Sequence, residues 1–273
     1  MIGVVLLILS WLLDGVGFVV RLLIVAAVVE EVTGNRLLAV ALGALAAWWP
    51  GLAAVSALAG VPGGAGLTRL ELRARSPSHR EQGIVDRTLA ELLRPGMRGP
   101  SLWYVIDVPT AGAYVVGTTL YIERGLIWSS GFPALLAHAL RHLHSLDGRL
   151  VLASQRLVFP GMLWVRAKVA DNAAKAARRV GYGRMVLVLL LALVAGGLGL
   201  FLLSPGWAWY WRRREYVADA YAAELGYGQT LAAVLAQQVI EDYTLLLLWG
   251  RMSPPSERRV DRLLGVREGA DRS

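Results

Sequence analysis

Residues 2–28 are apolar except for Asp14 and Arg21, and a second apolar segment, Leu37 to Leu58, follows a polar turn at 30–36. About 20 apolar residues cross a bilayer core, so the pattern predicts two spanning helices in a hairpin that ends in the Gly/Pro stretch 60–66. Asp14 and Arg21 lie two helical turns apart; they either pair inside a bundle or snorkel to opposite interfaces. Without a basic leading region or a small-residue cleavage site, the first segment reads as an anchor rather than a removable signal. Apolar positions 84, 85, 89, 92 and 93 make an amphipathic helix of Arg80–Leu93. β-branched and aromatic runs at 103–108, 113–117 and 119–122, set off by Pro and Gly, predict a small antiparallel sheet. Pro133 then opens a helix over 134–146, and residues 150–165 are apolar but broken by Gln155, Arg156 and Pro160. Residues 185–203 are an uninterrupted apolar run, followed by Trp207, Trp209, Tyr210 and Trp211 as an aromatic belt and then Arg212–Arg214.

Composition agrees with that pattern. Of 273 residues 56% are apolar and 18% charged, with mean hydropathy +0.50, whereas soluble domains average about 45–50% apolar and about 25% charged. The net charge of +8 is carried by Arg beside apolar runs, with no aromatic-interleaved patch, which argues against nucleic acid. With no cysteine, disulfides, thiolate metal sites and a cysteine nucleophile are excluded. The positive-inside rule puts the acidic turn at 30–36 outside and everything from about residue 67 on the cytoplasmic side.

Three of the four histidines, His138, His142 and His144, fall within seven residues. His138 and His142 stand at i and i+4, so one helical face carries both imidazoles about 6 Å apart along the axis, within reach of one metal ion. That spacing also arises by chance in ordinary surface helices. A two-imidazole zinc site needs a third ligand, and Glu215 is the candidate, with Asp219 one turn on as a second carboxylate to accept a ligand N–H. The bland alternative is a solvated acidic stripe, which leaves the small residues Ala218, Ala222 and Ala223 beside it unexplained.

Taken in order, these elements resemble the HtpX-type membrane metallopeptidases, gluzincins related to the CAAX prenyl endopeptidases. Ala111–Gly117 is similar to the family's N-A-F-x-x-G edge strand, Gly125-Leu126-Ile127 to its G-L-L, and His138, His142 and Asp147 to H-E-x-x-H-x-x-x-x-D. Arg214–Asp219 is similar to R-E-x-x-A-D and Ser253–Val260 to H-P-P-x-x-x-R-I. The resemblance implies an α-helical membrane protein carrying a gluzincin-type α+β metallopeptidase domain, a small antiparallel sheet plus active-site helices. It divides the chain into a transmembrane hairpin (1–66), a first peptidase part with sheet and HxxxH helix (67–149), a membrane-embedded insertion (150–211) and a second peptidase part (212–273). The insertion either makes two spans or lies along the interface and turns back at Gly196, Gly197 and Gly199.

The resemblance further implies one zinc ion on His138, His142 and Glu215, with Asp219 orienting His138. The strand Gly112, Ala113, Tyr114, Val115, Val116 and Gly117 would bind substrate backbone, and Arg259, or Arg258, would contact the oxyanion or Asp219. Tyr216 and Tyr221 are candidate electrophilic helpers or packing residues. The implied activity is endopeptidase cleavage of membrane-associated or misfolded polypeptides at the cytoplasmic face of the cell (inner or plasma) membrane. Its partners would be a peptide or membrane-protein substrate and the lipid bilayer. Three positions depart from the pattern: Gly112 for Asn, Ser253 for His and Ala139 for the catalytic Glu. Ala139 removes the general base that takes the proton of metal-bound water. Either an engineered Glu→Ala replacement has silenced a protease, or the chain is a natural pseudoprotease that binds without cleaving.

Overall fold

The computed structural model describes residues 2–13, 15–60, 68–70, 72–95, 97, 99–157, 202–237 and 254–265. The chain divides into two units, one of residues 1–59, 152–207 and 244–250, the other of 60–151, 208–243 and 251–273.

In the first unit, α1 (Ile2–Leu13), α2 (Gly15–Thr33) and α3 (Arg36–Ala59) follow one another. The polar turn works as expected. Gly34 takes φ +65°, and the Asn35 side chain caps α3 by accepting from the Leu38 N–H at 3.0 Å. α2 and α3 pack closely, so that a Cβ on Gly43 would come within 2.8 Å of the Leu22 carbonyl.

The expectation of an α-helical membrane protein is overturned here, because among the described residues no helix is long and apolar enough to cross a membrane. α2 carries Arg21, Glu30 and Glu31 within its 19 residues. One residue of the expected aromatic belt sits in the core, whereas Trp209 is exposed. Trp207 is fully buried and donates its indole N–H to Ser10 Oγ at 3.1 Å, as a core residue does. Residues 185–201 of the apolar run, the loop Arg166–Arg184, Ser253, Asp14 and the side chain of Arg21 lie outside the described residues.

The second unit is built on a four-stranded sheet ordered β1-β2-β4-β3, with β1 (Ala74–Arg75), β2 (Leu102–Ile106), β3 (Ala113–Val116) and β4 (Thr119–Glu123). β1 and β3 pair antiparallel with their neighbours, but β2 and β4 run parallel, from Leu102↔Thr119 to Ile106↔Glu123. The sheet is therefore mixed, not antiparallel as expected. The reason is topological: after β2 the chain passes to the far edge to form β3. A hairpin at Gly117, φ +67°, then returns β4 into the slot beside β2. Alternation along β4 puts Leu120 and Ile122 into the apolar core with Val105 and Val115, where they meet helix residues Val85, Leu89, Leu136, Leu140, Leu231 and Leu235.

Around the sheet lie α4 (His79–Leu92), α5 (Arg124–Ile127), α6 (Phe132–Leu143), α7 (Asp147–Leu157), α8 (Ser204–Glu224), α9 (Gly228–Gln237) and α10 (Ser256–Leu263). A reciprocal Ser78–Glu81 capping box starts α4, and Arg75 clasps both Glu81 oxygens at 2.8 Å. α5 packs so tightly that a Cβ on Gly125 would lie 1.9 Å from the Pro109 carbonyl oxygen, which leaves glycine alone able to stand there. α6 carries Pro133 in its first turn, as predicted, but ends at Leu143 rather than 146.

Candidate metal centre

α6 is made of helix-favouring Ala and Leu, and its buried face (Ala134, Leu136, Ala137, Leu140) locks its rotation against the core. That rotation turns His138 and His142 towards α8. Their rings lie 5.0 Å apart edge to face, with the two Nε2 atoms 3.2 Å from each other. From α8, Glu215 places Oε2 3.4 Å from His138 Nε2 and Oε1 3.4 Å from His142 Nε2. The three residues form a set whose ligand atoms all lie within 4.8 Å of one another. Tetrahedral zinc with bonds of about 2.0–2.1 Å holds its ligand atoms about 3.3 Å apart. Two imidazole nitrogens and a carboxylate whose oxygens each face one of them at these separations can close on such an ion, and the three ligands leave a fourth coordination position for water or substrate.

Each imidazole has its own carboxylate behind it. His138 Nδ1 lies 2.9 Å from Asp219 Oδ1, and His142 Nδ1 lies 3.0 Å from Asp147 Oδ2. A carboxylate at Nδ1 keeps the proton there and turns the Nε2 lone pair inward, the tautomer a metal ligand needs. The carboxylates are themselves held. Arg259 on α10 donates Nε to Asp219 Oδ2 at 2.8 Å and Nη2 to Oδ1 at 2.6 Å, while its Nη1 lies 3.2 Å from Glu215 Oε2. Arg214 Nε donates to both oxygens of Asp147 at 2.8 Å, and the Tyr210 hydroxyl donates to Oδ1 at 3.0 Å.

The electrostatics follow from this web. Burial opposes charge on Asp147, yet the hydrogen bonds from His142 and Arg214 hold its carboxyl down at about 2. Burial likewise opposes charge on Glu215 and Asp219. The imidazoles hold Glu215 well below the usual range, and Arg259 with His138 lowers Asp219. Burial would lower His142, but Asp147 and Glu215 outweigh it and raise the imidazole to about 9. The site is thus a buried anionic cage around inward-facing nitrogens, a place made for a cation.

The remaining expected site residues are placed as follows. Ala139, also on α6, is buried in the apolar core, and its methyl group accepts no proton. Residues 113–116 form β3, the outer strand of the sheet beyond β4, with Gly117 in the hairpin turn. Tyr114 projects outward and donates its hydroxyl to Glu123 Oε1 at 2.8 Å. The Gly112 carbonyl accepts from the Glu123 N–H at 2.9 Å. A Cβ at 112 would come within 2.6 Å of the Tyr114 hydroxyl and 2.8 Å of Glu123 Oε2, so a side chain there would have to displace both flexible ends. Arg259, not the exposed Arg258, joins the site, and its nitrogens are engaged by carboxylates rather than aimed at an oxyanion position. Tyr216 lies under the Arg262 guanidinium, and the buried Tyr221 donates to Met97 Sδ at 3.5 Å.

The roles of Asp147, Arg214 and Tyr210 were not assigned from the sequence, although Asp147 and Arg214 stood inside the quoted motifs. The available signal was helical spacing, since Tyr210 and Arg214 are four apart on the helix that brings Glu215.

Comparison with known proteins agrees with this geometry. Two relatives, each named a protease HtpX homolog and each from a Bacteroides fragilis strain (YCH46 and ATCC 25285), are 29% identical to the chain over 143 residues. The match covers 48% of this chain and 44% of each relative, so the chain spans less than half the length of the curated relatives it matches. No solved structure matches it. The profile of the M48 peptidases, which are metallopeptidases, matches residues 80–267, a stretch that holds both imidazoles, Glu215, Asp219 and Arg259. By that match the chain belongs to peptidase family M48.

Proposed function

We propose that His138, His142 and Glu215 hold one zinc ion in a metalloendopeptidase scaffold that engages unfolded or misfolded polypeptide along β3 and lacks its proton acceptor at position 139. The observation that carries this reading is the two Nε2 atoms 3.2 Å apart, each facing its own Glu215 oxygen at 3.4 Å, with a carboxylate behind each imidazole. When bound, zinc polarises the scissile carbonyl and lowers the pKa of a bound water towards about 7. The chain's own residues do the rest. Asp219 and Asp147 keep the Nδ1 protons in place, and Arg259 fixes Asp219 against Glu215. β3, with an outer edge not paired within the described sheet, offers backbone N–H and C=O groups to an extended peptide. At position 139 a glutamate would take the water's proton and return it to the leaving amine; the alanine does neither.

The test is A139E. The zinc-loaded variant should cleave an unfolded, quenched-fluorescent polypeptide at least about 100-fold faster than the parent chain, and a chelator should abolish the cleavage. The parent should bind the same probe and bind one zinc per chain. A variant that holds zinc and binds the probe but cleaves no faster than the parent overturns the reading.

A further inference from the structure

The outer edge of β3 is closed at one end by another element. The Gly112 carbonyl accepts from the Glu123 N–H, and the pairing of Ala113 with Ile122 fixes the alternation that follows. Gly112, Tyr114 and Val116 turn their backbone groups towards β4, while Ala113, Val115 and Gly117 turn theirs outward. Among the described residues Ala113 and Val115 have no backbone partner on that side. Gly117 has one. Its N–H donates to the carbonyl of Gly148, in the first turn of α7, at 2.7 Å.

The first turn of α7 reaches this position because residue 148 is glycine. A Cβ there would stand 2.4 Å from the Gly117 carbonyl oxygen and 2.6 Å from Val115 Cγ1, and a backbone oxygen cannot swing aside as a side-chain tip can. Glycine is disfavoured against alanine inside a helix, so the close approach is kept against a local preference. The residue before it is Asp147, whose Oδ2 lies 3.0 Å from His142 Nδ1. One turn of α7 therefore braces a metal ligand and also ends the open edge.

We propose that this turn is a stop for the bound polypeptide. It fills the third outward position of β3, so an extended chain pairs over Ala113 and Val115 and must leave the sheet at Gly117. This rests on the reading of β3 as the strand that engages polypeptide. Pairing so short relies on a few backbone hydrogen bonds, each of small net worth, and so holds any sequence weakly. That suits unfolded segments of varied sequence. The edge strand of a folded protein, typically about 5–6 residues long, would run into α7.

The experiment follows amide hydrogen exchange by NMR in the zinc-loaded parent chain, with Ala139 in place, before and after saturation with the unfolded polypeptide probe. Without probe, the Gly117 N–H should exchange at least about tenfold more slowly than those of Ala113 and Val115. The probe should slow Ala113 and Val115 at least about tenfold and leave Gly117 within about twofold. In G148A the added Cβ drives α7 off the hairpin, so Gly117 should exchange fast without probe and slowly with it, as the other two do. If Gly117 in the parent is as fast as Ala113 and Val115 and is slowed with them, the edge is open throughout. If Gly117 stays protected in a folded G148A chain, Gly148 is not what closes it. Either result overturns the proposal and leaves the peptidase reading standing. If the probe binds and slows neither Ala113 nor Val115, β3 is not its seat, and that part of the peptidase reading falls together with the stop. The three amides of the parent decide the matter whether or not G148A folds.

Discussion

Replacing Asp147 by asparagine tests whether the carboxylate behind His142 tunes the metal ligand or only anchors Arg214. Both oxygens of Asp147 are in use: Oδ2 faces His142 Nδ1, Oδ1 receives the Tyr210 hydroxyl, and Arg214 Nε reaches both. Asparagine keeps one oxygen. If that oxygen stays on His142, Tyr210 must reverse its hydroxyl to accept from the amide, and the imidazole keeps its tautomer but loses the charge that makes it a strong donor to metal. If the amide faces His142 instead, Nδ1 must accept, the proton moves to Nε2 and the ligand is lost. Outer partners of metal-bound histidine are worth about 10–100-fold in affinity, or about 1.4–2.7 kcal/mol, and the first arrangement sets the lower end. D147N should therefore weaken zinc binding by at least about tenfold in competition titration against a fluorescent chelator. The companion variant R214Q leaves Asp147 on His142 and should cost less than about threefold. A D147N affinity within about twofold of the parent, with a folded chain by circular dichroism, would refute the argument that Asp147 sets the imidazole's basicity.

Two further perturbations have signs the structure decides. Arg259 is buried and holds Asp219 while touching Glu215, so R259Q strands two carboxylates and should cost about 3–5 kcal/mol in denaturant unfolding without metal. A loss under about 1 kcal/mol would show that the carboxylates find other partners. At Glu81, the hydrogen bonds from Arg75 lead in lowering the carboxyl from its usual 4.5 to about 2. Its stabilisation is then complete above about pH 4.5 and is lost as pH falls towards 2. With Arg75 more than a third exposed, E81Q should lower stability by about 1–2 kcal/mol at pH 7. The gap from the parent should close in melts near pH 2–3, and a gap that persists there would refute the assignment.

What could be read from the sequence was what depends on local spacing. His138 with His142, and Glu215 with Asp219, are pairs one helical turn apart, and a helix delivers such pairs to one face whatever surrounds it. The amphipathic α4 and the strand segments followed from periodicity in the same way. Strand order did not, because the insertion of β4 beside β2 is decided by a long-range connection that no run of residues encodes. Hydropathy misled at the N-terminus, where the apolar count predicts spans but among the described residues no helix is long and apolar enough to cross a membrane, and α2 carries Arg21, Glu30 and Glu31. Trp207 misled for a related reason: amphipathic rings suit an interface, but a buried indole with one hydroxyl partner suits a core equally well. The support beneath His142 was hidden because Asp147, Tyr210 and Arg214 come from two helices and meet only in space.

The clamp contributed by α10 has a bearing on biosynthesis. The guanidinium that steadies Asp219 and Glu215 belongs to residue 259, more than forty positions after the last ligand. A chain still being translated therefore carries all three donors long before they are braced against one another. Until the ribosome has released α10, the carboxylates repel, and any ion captured early is held loosely. In a form bearing glutamate at 139, hydrolytic competence would arrive only once residue 259 has emerged and folded back, which shields the polypeptide made before it from its own incipient cutting edge.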